Sequence, residues 1–134
     1  MSHAATVAAI YQAFGQGDMP ALLSHLDENV DWEYTSDNDD IPMYCRRKGS
    51  EGAAAFFATL ADLEFHKFVP TAILDAPGGL VLGVIDLDVT LKKTGVRIAI
   101  PDEVHLFYFN DAGKVVKFAH RVDTHQFWRG LQGQ

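Results

Sequence analysis

The chain has 134 residues, 48% of them hydrophobic and 22% charged, the balance of a globular protein with enough length for one domain and a real core. Its net charge of −7 argues against nucleic acid or an anionic membrane as partner, because phosphate binding needs a basic patch and Arg46-Arg47-Lys48 is too short to supply one. Cys45 is the one cysteine, which excludes an internal disulfide and a cysteine-rich metal site; with no signal-like start over Met1–Tyr11 and no apolar run of ~18 residues, a cytoplasmic protein is expected.

Ala4, Val7, Ala8, Ile10, Tyr11 and Phe14 recur at three- and four-residue spacing, predicting an amphipathic first helix that Gly15 and Gly17 stop. Asp18 can cap a second helix, with Pro20 in its first turn and Leu22, Leu23 and Leu26 on its buried side. Val30 to Tyr34 alternates and reads as a short strand, followed by a polar loop from Thr35 to Arg47. Ser50 is the expected cap of a third helix carrying Ala53, Phe56, Phe57 and Leu60 on its apolar side.

The rest reads as strands. Phe65 to Leu74 is the first, with Pro70 implying a bulge or an edge position. Pro77-Gly78-Gly79 is a turn, Leu80 to Leu91 a long strand and Val96 to Ile100 another, after which a bulge at Pro101 leads into Glu103 to Phe109. Asn110-Asp111-Ala112-Gly113 turns the chain into a last strand over Lys114–Asp123, and Gln126 to Arg129 begins a tail that can lie over an open end of the domain.

If the last two strands pair with a four-residue loop, Phe109 faces Lys114, Glu103 faces His120, and His105 lies diagonal to His120 on the same face. Glu103, His105 and His120 then form a polar cluster among Phe107, Phe109, Val116, Phe118 and Val122. Three titratable groups on an apolar face point to a pocket. Helices followed by antiparallel strands mean an α+β class, here a single domain over 1–134 with three N-terminal helices covering a sheet curled around a conical cavity.

Several segments in the right order carry a resemblance. Val7 to Asp18 resembles the opening helix of the SnoaL-like, ketosteroid isomerase-like branch of the NTF2-like superfamily. Glu28-Asn29-Val30-Asp31-Trp32-Glu33 resembles the strand after its second helix, Gly49 to Phe57 its third-helix start, and Phe107 to Val116 its last hairpin. The resemblance implies the NTF2-like cone, a curved and mostly antiparallel sheet enclosing a pocket. Matched residue by residue, an aspartate of ketosteroid isomerase falls on His105 and its general-base aspartate on Tyr34, whose phenol, with an ordinary pKa near ~10, cannot replace it at neutral pH. Its helix-one tyrosine falls on Ile10, or on Tyr11 with one residue gapped. The acid/base aspartate of the SnoaL cyclases falls on His120. The polar cluster keeps its place in the family pattern but changes from carboxylate to imidazole.

The candidate catalytic residues are therefore His120, His105 and Glu103, with an imidazole poised near neutrality to move a proton beside a carbonyl. Tyr11, Phe14, Trp32, Tyr34, Phe56, Phe107 and Phe118 are candidate ligand contacts, and Tyr11, Trp32 and Tyr34 also carry polar handles. The expected ligand is a small apolar carbonyl or polycyclic compound, handled by isomerase- or cyclase-type chemistry that needs no cofactor. Two histidines and a carboxylate can hold zinc or iron, but no local motif supports it and no metal is expected. The alternative is a non-catalytic ligand binder or dimeric scaffold, favoured by the loss of both family carboxylates. Alternation along Leu80–Leu91 leaves a mixed outer sheet face suited to a homodimer.

Overall fold

The computed structural model describes residues 2–134. Helix α1 (His3–Gln16) starts where the Ser2 hydroxyl accepts from the Ala5 N–H at 3.1 Å, and it runs through Gly15 to end at Gly17, whose φ of 68° suits glycine. Asp18 caps α2 (Met19–Leu23) by accepting from the Ala21 N–H. Leu26 is not on that helix but begins β1 (Leu26–Trp32), so the strand starts four residues earlier than alternation predicts and stops before Tyr34. A 3₁₀ turn at Pro42–Tyr44 leads into β2 (Arg47–Lys48) and α3 (Gly49–Thr59). Ser50 does not cap α3. The chain enters it through Gly49 at φ 72°, packed so closely on Glu28 that a Cβ would lie 3.1 Å from the carbonyl oxygen.

The long strands are β3 (Leu63–Ala76), β4 (Leu80–Leu91), β5 (Arg97–Phe109) and β6 (Val115–Arg121), and α4 (Thr124–Leu131) closes the chain. They form one six-stranded sheet in the order β2-β1-β6-β5-β4-β3, antiparallel except where β1 runs parallel to β6. Pro70 lies on the edge strand beside a register shift, as a residue lacking an N–H requires. Pro101 does not break β5. The register slips between Glu103↔Ile85 and Ile100↔Leu87, and the strand bulges there and continues.

The β5–β6 hairpin departs from the predicted register. The Asn110 side chain accepts from the Ala112 and Lys114 N–H groups, and Gly113 takes φ 79°. Phe109 pairs with Val115, yet Tyr108 pairs with Lys117, so Val116 is an extra residue bulged out of β6. The turn, one residue longer than predicted, and the bulge together shift the pairing by two so that His105 lies directly opposite His120. Val116 and Val122 are only partly buried, and Phe109 stacks on His3 at 4.4 Å rather than joining the cluster.

Side chains at 81, 85, 87, 89, 107 and 118 point into the core with Val7, Leu22 and Trp32. α4, capped by Asp123, lays Phe127 over the end of the cone against Tyr44, as expected of the tail. Asp123 is thereby a structural cap, while Asp86 and Asp88 form exposed pairs with Lys67 and Arg97. No helix among the described residues is long and apolar enough to cross a membrane.

Candidate active site

The inner face of the curved sheet and helices α1 and α3 leave a cavity of about 70 Å³, room for roughly five waters at ~10–15 Å³ each. Its walls are aromatic and aliphatic, and its polar groups are Tyr11, Trp32, Tyr44, Glu103, His105 and His120. Of the expected ligand contacts, Tyr11, Phe14, Trp32, Phe56, Phe107 and Phe118 line it. Tyr34 does not. Beyond the end of β1 it packs edge-on against Tyr108, with the Lys117 ammonium over both rings.

The polar cluster is two hydrogen-bonded arms. In one, His105 Nε2 faces Glu103 Oε2 at 3.0 Å and Nδ1 faces the Tyr11 hydroxyl at 2.9 Å. A carboxylate can only accept, so Nε2 carries the hydrogen and Nδ1 accepts from the Tyr11 O–H. In the other arm, His120 Nδ1 is hydrogen-bonded to Glu33 Oε1, and the same oxygen accepts from the His120 backbone N–H at 2.7 Å. The imidazole rings meet edge to face at 4.9 Å.

Glu33 is the site residue that alternation hides. Trp32 points inward, so the next side chain should point out; instead Glu33 takes φ 54°, a left-handed conformation unfavourable for a residue with a Cβ, and turns its carboxylate inward to 5% exposure. Its N–H donates to Phe118 O at 2.7 Å. These bonds hold a local conformation that costs on the order of 1–2 kcal/mol. Tyr44 is the second residue missed. It comes from the polar loop, whose sequence has no periodicity to mark it, and it packs edge-on to His120 at 5.2 Å. Behind this arm, Glu33, Ser36, Asn38 and Arg121 line a shallow polar cleft of about 260 Å³ that also reaches His120 and Tyr44.

Burial is the largest single influence on Tyr11, Tyr44, Glu103, His105 and His120, but it does not always set the net direction. It pushes His105 below the ordinary imidazole value despite the opposing Glu103 hydrogen bond. It works equally against charge on His120, but the Glu33 hydrogen bond and the charges of Glu33 and Glu103 outweigh it, so His120 stands above the ordinary value. Burial alone would raise Glu103, yet the His105 hydrogen bond and the two imidazoles hold it lower. Burial raises the Tyr11 and Tyr44 phenols, with Glu103 adding to both. The arrangement is one neutral and one protonation-prone imidazole side by side, the separation that acid–base chemistry uses. Cys45 is set apart from it. Burial raises its thiol, and Sγ donates to Ile41 O, which leaves no activated nucleophile.

The donor atoms of Glu103, His105 and His120 lie within 4.8 Å of one another, close enough to converge on a cation. In this arrangement His105 Nε2 is already engaged by Glu103 and His120 Nδ1 by Glu33.

Residues 7–118 match the family model of the SnoaL-like domain. The chain belongs to the SnoaL-like family. Among solved structures, the SnoaL-like chain is similar to an NTF2-like protein from Burkholderia thailandensis, at 23% identity over 98% of each chain with a TM-score of 0.82. It is also similar to TerC, crystallised with polyporic acid, at 22% identity over 98% of this chain and 99% of that one, TM-score 0.76. A third is a Pseudomonas putida protein classed provisionally as a polyketide cyclase, at 22% identity over 97% and 98%, TM-score 0.72. At such identities the likeness establishes the cone and leaves function to the site. Among curated protein sequences, none matches this chain.

The Tyr11–His105 arm depends on a glycine. Gly83 lies opposite His105 on β4, and a Cβ there would sit 2.0 Å from the Tyr11 hydroxyl and 3.0 Å from its Cζ. Gly83→Ala is expected to displace Tyr11, cost about 1–3 kcal/mol through overpacking and free His105 Nδ1. Urea unfolding measures the first effect, and the histidine ¹⁵N shifts measure the second.

Proposed function

We propose that this SnoaL-like protein binds a small, largely apolar carbonyl compound in the cone and moves a proton on the carbon beside the carbonyl, with no cofactor. The observation that carries the reading is His120, which meets Glu33 through Nδ1 and lines an apolar cavity. A carboxylate on one imidazole nitrogen fixes the ring and its tautomer and stabilises the imidazolium, so the ring can take a proton from a ligand. His105, held neutral between Tyr11 and Glu103, keeps the floor of the site rigid without adding a second positive charge. The cavity volume favours a single-ring ligand over a polycyclic one.

Small cyclic ketones in D₂O test this without knowledge of the product. Abstraction of the α-proton appears as deuterium entering the ketone, followed by NMR. Cyclohexanone-sized ketones are expected to exchange faster with the protein than in buffer, and His120→Gln is expected to remove the gain. Ketone that binds but keeps its protons would mean a ligand-binding protein without catalysis. No binding at all would overturn the reading.

We also propose, on the expectation of a cytoplasmic homodimer, that a second copy covers the outer sheet face. Leu74, Leu82 and Leu106 align across three strands, with Ala72, Val84 and Val104 beside them, and Leu74 is 53% exposed. The Lys67–Asp86 and Arg97–Asp88 pairs would form a polar rim at one end. Leu82→Asp is expected to turn a dimer into a monomer in analytical ultracentrifugation without unfolding it.

A further inference from the structure

Three of the cavity's polar side chains are already engaged, while the Tyr44 hydroxyl has no partner among the described residues. The Tyr11 O–H is spent on His105 Nδ1, the His105 Nε2–H on Glu103, and the His120 Nδ1 side on Glu33. The Trp32 indole N–H is different. It is fully buried and has no acceptor among the described residues, although Trp32 is a wall of the cavity and 2% exposed. The rings packed on the Trp32 ring, with centroids at 4.1 Å for Phe118, 5.2 Å for Phe56 and 5.5 Å for Phe57, cannot accept a conventional hydrogen bond. Buried indole N–H groups usually find a partner, so an unmatched one calls for an acceptor from outside the chain.

Its position relative to His120 gives the unpartnered donor a chemical meaning. Trp32 on β1 pairs with Phe118 on β6, and His120 is two residues further along the same inner face. The two side chains share Phe56 and Phe118 as neighbours, His120 at 5.4 Å and 4.8 Å. A flat ligand against those rings would lie beside both the imidazole and the indole.

We propose that the Trp32 indole N–H is the donor that holds the ligand's oxygen, so that the cavity selects compounds carrying a hydrogen-bond-accepting oxygen on an apolar ring. This rests on the proposed small-carbonyl reading and assigns the group that steadies the oxygen. When His120 takes a proton from the neighbouring carbon, electron density moves to that oxygen. An N–H donating to that oxygen then binds the enolate more strongly than the ketone, which is the differential a catalyst needs.

Cyclohexanone and methylenecyclohexane are nearly the same shape and differ in having C=O or C=CH₂. The chain contains two tryptophans, so a ¹H–¹⁵N spectrum shows two indole signals, and Trp128→Phe assigns them. In the otherwise unaltered protein, cyclohexanone is expected to move the Trp32 indole proton downfield saturably, whereas methylenecyclohexane leaves it in place while shifting other cavity resonances. The ketone should bind about tenfold tighter, the worth of one good hydrogen bond, and Trp32→Phe should erase that preference while both compounds still bind. Equal indole shifts with the two probes, or a preference that survives Trp32→Phe, would overturn the assignment and leave the pocket reading intact. If neither probe perturbs any cavity resonance, the carbonyl reading falls and this assignment with it.

Discussion

His120→Ala is expected to destabilise the fold by about 3–5 kcal/mol as well as to abolish proton transfer, because it removes one partner of a buried pair and leaves the other uncompensated. A pocket side chain without a buried partner would be lost at little cost to the fold. The difference is Glu33. Its carboxylate is 5% exposed, accepts twice from His120, and sits on a backbone at φ 54° that those contacts help to hold. With alanine at 120, the side-chain hydrogen bond vanishes and the carboxylate must find water through the outer cleft, take up a proton, or swing out and release the turn. The control is Glu33→Ala combined with His120→Ala, which removes both charges. It should be more stable than His120→Ala alone, and the non-additivity in a double-mutant cycle measures the coupling. Urea midpoints for the four proteins decide it. Strictly additive losses would show that the two groups do not depend on each other. His120→Gln keeps a hydrogen-bonding side chain beside Glu33, so it is the better variant for separating lost chemistry from lost stability.

What the sequence made legible, and what it did not, follows from how local the information is. The α1 stripe, the Asp18 cap, the edge role of Pro70 and the full length of β4 are statements about three to twelve neighbouring residues, and periodicity carries them. The inner face holding Glu103, His105 and His120 was readable for the same reason. The register was not. Val116 is a valine indistinguishable by type from a paired residue, and its bulge, added to a turn one residue longer than predicted, moves His105 from a diagonal to a direct position opposite His120. The breakdown of alternation at Glu33 was equally silent, since a left-handed glutamate has no signature. That single residue also accounts for the misplacement of Tyr34, which a continued strand would have aimed inward. Tyr44 reaches the site from a loop and Gly83 acts on a residue 72 positions away, contacts that no local pattern encodes.

Stability and catalysis should respond to pH in opposite senses at the two imidazoles. His120 is the group whose folded value is raised, through its Glu33 hydrogen bond and the charges of Glu33 and Glu103 acting against burial. Its contribution is therefore fully present below about 6.5, the unfolded value, and is lost as pH rises through the folded value. His105 is lowered by burial, with Glu103 opposing and His120 assisting. Unfolding lets it take up a proton, so it withdraws stability as pH falls below about 6.5. Glu103 is lowered as well, and it adds a second loss in acid as the pH drops through the carboxylate range. Tyr44 and Tyr11, the remaining titratable neighbours from the loop and from α1, are both raised and stay neutral throughout. Against Glu33→Gln/His120→Gln, the wild-type advantage should shrink on the alkaline side. Against His105→Gln, it should shrink on the acid side, each slope bounded at about 1.4 kcal/mol per pH unit for one proton. Carboxylates outside the site, such as Asp31 and Asp88 in their arginine pairs, titrate alike in every protein compared and cancel in the differences. Proton abstraction by His120 requires its neutral form, so deuterium exchange into cyclohexanone should climb with pH through a midpoint above 6.5. A rate that falls over that range would make the imidazolium the active form and His120 an acid instead of a base.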